Sequence, residues 1–130
     1  MTFLSPYTSW FLSALRIMSG LLVLQHGTSK YLNFPVGPMN NASLASMGGA
    51  AGVFELACGA LVVVGLLTRP AAFLLSGMTA VAYFLVHAPR SFFPLLNGGE
   101  AAALYCFVFL YLSAAGGGPV SIDRLIFKRD

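Results

Sequence analysis

The stretch Thr8–Leu32, TSWFLSALRIMSGLLVLQHGTSKYL, decides the fold. Its charged side chains are Arg16 and Lys30, and the rest is mostly apolar. A helix needs about 20 mostly apolar residues to cross about 30 Å of hydrocarbon, and this stretch has enough. It lacks a basic n-region and is too long for a signal-peptide core, so it reads as a spanning helix. The rest of the chain agrees. Of 130 residues, 58% are hydrophobic and 8% charged. A soluble domain carries roughly a quarter charged residues, so this chain cannot build a water-facing shell. The same numbers exclude disorder. A net charge of +3 on scattered carriers excludes strong nucleic-acid binding.

Three further apolar runs follow, at about residues 44–67, 70–87 and 97–115, the last two short. An open sheet cannot cross lipid, and the runs are too long and unalternating for barrel strands, so helices remain. The expectation is a single all-α membrane domain over residues 1–130. It is a bundle of four transmembrane helices with a short interfacial helix in residues 121–130. There Ile122, Leu125 and Ile126 share a face beside Arg124, Lys128 and Arg129. Pro89 and Pro94 are expected to bracket a non-helical stretch. Arg69, Arg124, Lys128 and Arg129 fall on one side of the membrane, against Lys30 and Arg90 on the other. The excess places both termini in the cytoplasm. Tyr7 and Trp10 suit an aromatic belt.

Ionisable groups inside a bilayer are costly, so each is a functional candidate. Arg16, Ser19, His26 and Lys30 fall within roughly an 80° arc of the first helix, with Gln25 opposite. Counted from the cytoplasmic helix ends, Arg16 and Glu55 lie about 12 and 18 Å deep, which predicts an Arg16–Glu55 ion pair. Such a pair could equally serve register alone. Lys30, near the outer end, reads first as a snorkelling cation and second as a functional one. Gly48 and Gly52 form a GxxxG pair suited to close helix packing. Asn97 and Glu100 have capping-box spacing. His26, Lys30, His87, Asn97 and Glu100 come from three helices and converge at the extracytoplasmic end. With Arg16 and Glu55 they make the candidate ligand site.

The Glu-x-x-His pattern of bundle metal sites is absent, so no metal is assigned. A quinone suits the site better. Its carbonyls need donors such as His or Lys, and its ring and tail need aromatic and aliphatic walls. Without a haem or flavin motif, electrons would come from a partner. Cys58 and Cys106 are expected to be buried apart, without a disulfide. Tyr83, Tyr105 and Tyr111 read equally as network members or packing residues.

Taken in order, LRIMSGLLVLQHGTSKYL, FELACGALVVVGLLTRPAA and NGGEAAALYCFVFLYLSAAGGGPVSIDRLI resemble the DoxX family of bacterial four-helix membrane proteins, over about residues 10–127. The matching positions are Arg16, His26, Lys30, Glu55, Asn97 and Glu100. The resemblance implies a multi-pass protein of the bacterial inner membrane associated with redox systems. Some relatives are similar to a subunit of thiosulfate:quinone oxidoreductase, and others partner with thiol or superoxide defence enzymes. Three functions follow as expectations. The first is an oxidoreductase component without its own cofactor motif, binding a quinone or other lipophile and working with a redox partner protein. The second is an accessory subunit of a larger membrane complex. The third is a homo-oligomer passing a small solute or protons.

Overall fold

The computed structural model describes residues 2–128, and every regular element among them is helical. A 3-10 turn, Thr2–Tyr7, leads into α1, Thr8–Leu32. A loop leads to α2, Met47–Val64, and a tight turn to α3, Thr68–Ala82. The third helix widens into a π turn, Tyr83–His87, and a 3-10 turn, Ala88–Arg90. Two short pieces complete the chain around a longer one: α4, Pro94–Asn97, α5, Glu100–Ala115, and α6, Ile122–Phe127. Three continuous helical segments are long and apolar enough to cross a membrane: Thr2–Leu32, Met47–Val64 and Thr68–Arg90. The helix Glu100–Ala115 is apolar but shorter.

Local chemistry sets the ends. Ser46 caps α2 by accepting the Gly49 N–H at 3.0 Å, so the helix starts at Met47 and not at 44. Gly65 stops it with φ +72°, a backbone conformation that costs glycine little. Gly98, also at φ +72°, turns the chain before α5, which therefore starts at Glu100 and not at Asn97. The expected non-helical stretch is partly helical. Pro89 lies within the 3-10 turn and Pro94 opens α4, both positions where a missing N–H costs nothing. Ser121 caps α6, whose Leu125 and Ile126 are exposed. Arg129 and Asp130, part of the expected interfacial tail, lie outside the described residues.

The helices pack in sequence order: α1 on α2, α2 on α3, α3 on α5. Glycines set the first interface. A Cβ on Gly27 would lie 2.7 Å from the Leu56 nitrogen, and one on Gly59 3.2 Å from the Leu24 Cα. The helix backbones therefore touch, the close approach expected where small residues line an interface. Of the GxxxG pair, Gly52 faces Tyr31 and Lys30 while Gly48 faces Met39 of the preceding loop. The core is small: Val23, Cys58, Val62, Ala71, Ala72, Leu75, Phe109 and Leu112. Large apolar side chains such as Leu21, Phe73, Leu104 and Phe107 point outward. A soluble protein avoids such a surface and a lipid-facing one requires it. The first and last long helices, α1 and α5, meet only marginally.

Candidate functional site

Arg16 is wholly buried. Its guanidinium is met by backbone. Nε donates to Gly117 O at 2.9 Å, and Nη1 donates to Val62 O and Val63 O, each at 2.5 Å. Nη2 donates to Val120 O. These carbonyls belong to the end of α2 and to the segment after α5, where the last helical C=O groups have no intrahelical partner. Arg16 thus ties α1 to both. Asp123 completes the knot by accepting the Leu67 and Thr68 N–H groups, at 2.7 and 2.8 Å, at the start of α3.

The expected Arg16–Glu55 pair does not form. Glu55 pairs with Lys30, whose Nζ lies 2.7 and 3.0 Å from the two carboxylate oxygens. The reason is register. Gly27 packs against Glu55 and Leu56, while Gly20 packs against Val62 and Val63. Arg16 therefore lies beside the end of α2, about two turns, or roughly 10 Å, from Glu55. Both members of the Lys30–Glu55 pair are under one tenth exposed. Each buried charge is met by the other, which offsets the cost of holding it away from water.

Two cavities adjoin this pair. A groove of about 580 Å³ lies between α2 and α3. Lys30 and Glu55 are its charged lining residues, and Phe54, Phe73, Leu74, Met39, Met47, Met78 and Val81 make much of its apolar wall. Gly77 also lines it, and a Cβ added there meets nothing within 4 Å. A second chamber of about 290 Å³ lies where α1 and α5 diverge. Its lining includes His26, Glu55, Thr79, His87 and Tyr105. Glu55 borders both.

The expected cluster at one mouth is therefore divided. Lys30 and Glu55 line the groove, while His26 and His87 share the chamber with Glu55. Glu100 is exposed and lines neither cavity. The capping box does not form, because Gly99 and not Asn97 precedes the first residue of α5. Asn97 is instead a buried tie. Its Nδ2 donates to Ser91 O at 3.0 Å and Tyr83 Oη at 3.3 Å, and its Oδ1 accepts the Gly99 N–H at 2.7 Å. Its carbonyl oxygen lies 3.2 Å from His87 Nδ1. A carbonyl only accepts, so this contact puts the proton of a neutral His87 on Nδ1.

Cys58 and Cys106 are free thiols. Among the described residues no three His, Cys, Asp or Glu side chains stand close enough to hold a metal ion. The sequence reading missed Thr79 and Gly77. Gly77 had a signal, an isolated glycine inside an apolar helix, which often marks a packing or functional need.

Apolar helices around a buried arginine and a buried Lys–Glu pair define a class of membrane protein, and comparison with known proteins gives the family. The chain belongs to the DoxX family, whose profile matches residues 11–88, from α1 through the π turn. It is 41% identical to a protein of Haemophilus influenzae, described as uncharacterized, over 97% of this chain and 98% of that one. A second protein from the same organism, also described as uncharacterized, is 34% identical over 52% of this chain and 45% of its own length. No solved structure matches.

Proposed function

We propose that the chain is a single membrane domain whose four apolar helices cross the bacterial inner membrane, with both termini cytoplasmic. At about 24 Å, α5 is shorter than the hydrocarbon and would cross with local thinning. Within the bilayer the protein binds a quinone or similar lipophile in the groove between α2 and α3. As a redox-associated component it takes electrons from a partner protein. The observation that carries the binding reading is the Lys30–Glu55 pair in an otherwise apolar groove. Specific ligand sites combine a mostly apolar wall with a few placed polar groups, at volumes of roughly 300–1,000 Å³. An ammonium supplies three donors, and Glu55 takes two contacts, which leaves one for a quinone oxygen. The ring and tail then lie against Phe54, Phe73 and the methionines, side chains that adapt to irregular apolar ligands.

Gly77→Phe tests this directly. The new ring enters the groove without displacing a neighbour within 4 Å of its Cβ. Calorimetric titration of the protein in nanodiscs with a short-chain ubiquinone analogue should show binding that Gly77→Phe weakens at least about tenfold, about 1.4 kcal/mol. Equal binding by both proteins overturns the reading.

A further inference from the structure

We propose that Glu55 is the proton-transfer residue of this site, passing protons between the His26–His87 chamber and a quinone oxygen in the groove. The inference rests on the quinone reading above. Glu55 is the one described carboxylate that lines either cavity, and it lines both. The groups lining its cavities that can titrate are Lys30 and His26 from α1, His87 from the π turn and Tyr105 from α5. Each of the two imidazoles has a ring nitrogen that can hold or hand on a proton. His87 has Nδ1 engaged by the Asn97 carbonyl, so its Nε2 is the nitrogen that takes up and releases a proton. The chamber, at about 290 Å³, has room and polar partners for ordered water to bridge these groups.

Charge explains why the groove needs such a route. Lys30 and Glu55 together are neutral, so they cannot balance negative charge added to a ligand beside them. Unbalanced charge in a water-poor site is costly, so each electron has to arrive with a proton. Quinone reduction takes two electrons and two protons, and each ring C=O becomes C–O–H. The electrons come from an external reductant of the dithionite or dithiol class, which is oxidised. Each proton enters from water, is held by an imidazole as imidazolium, passes through chamber water to the Glu55 carboxylate and then to a quinone oxygen, and the imidazole takes its next proton from water. Glu55 returns to its ionised form beside Lys30 after each transfer.

The test uses the full chain in nanodiscs with a short-chain ubiquinone analogue and dithionite as reductant, and follows quinone reduction by absorbance in H2O and in D2O. Protein-free nanodiscs give the background. At saturating quinone, Glu55→Gln should slow reduction at least about tenfold and lose the solvent isotope effect of the wild type, and Glu55→Asp should recover part of the rate. Ala102→Leu narrows the chamber and leaves the groove lining untouched, so it should slow quinone reduction with unchanged affinity. This second variant keeps the test decisive should Glu55→Gln fail to fold. Wild-type rates in a folded Glu55→Gln or in Ala102→Leu, with binding intact, overturn the proton route alone. No binding by the wild type overturns the quinone reading and this inference with it.

Discussion

The two buried cations of α1 live in opposite surroundings. Arg16 is wrapped in backbone carbonyls from two segments and has no cavity beside it in the groove or chamber. Lys30 has one side-chain partner and lines an open groove. Each sits on the same helical stripe, so the stripe alone does not distinguish them. The difference lies in what satisfies the donors. Carbonyls at helix ends are fixed by the chain path and cannot change charge, so they serve architecture. A carboxylate can take up a proton, and a cavity admits a ligand, so the Lys30 end can do chemistry.

Substitutions can break this contrast, and the largest effect belongs at the Arg16 end. Arg16→Leu strips the donor from Val63 O and Val120 O and leaves Gly117 O and Val62 O with Ser13 Oγ and the Gly65 N–H alone, and each unmet acceptor costs about 1–3 kcal/mol if it stays dry. Thermal unfolding in detergent should show a protein that no longer folds cooperatively. Arg16→Lys should recover little, because a single ammonium cannot reproduce the planar fork.

At the other end, Lys30→Met alone strands a buried carboxylate and should cost about 3–5 kcal/mol. Lys30→Met with Glu55→Met should regain most of that stability and still not bind the quinone analogue. A double variant no more stable than the single would place Lys30 in the same structural role as Arg16. Gly27→Ala, which forces a Cβ to within 2.7 Å of the α2 backbone, should cost about 1–3 kcal/mol by separating the helices. The smallest stability change belongs to Gly77→Ala. With open space around it, the variant should gain up to about 1 kcal/mol from helix propensity. The same unfolding assay reads both glycines, and a loss at Gly77 would show that the groove wall is part of the packing.

Much of this architecture is legible in the sequence because lipid imposes a strong rule. The apolar runs locate the helices, whereas the ends of α2 at Ser46 and Gly65 lie inside the run read as 44–67. The partner of Glu55 was not legible. It depends on the slide of α1 along α2, which is fixed by the seating of Gly20, Gly27 and Gly59 against individual residues. Counting from helix ends does not capture that slide, which brings Gly27 and so Lys30, rather than Arg16, level with Glu55. Asn97 misled for a related reason. Its spacing to Glu100 fits a capping box, but Gly98 at φ +72° breaks the path between them. The division of the polar residues between two cavities depends on α1 and α5 diverging, which no local pattern encodes.

The cage around Arg16 also imposes an order of assembly. Its acceptors come partly from Val62 and Val63, but the others come from Gly117 and Val120, made about a hundred residues later in synthesis. During insertion α1 carries a cation whose final partners do not yet exist. The Arg16 cage is therefore complete only once residues 117–120 have been made and brought against α1.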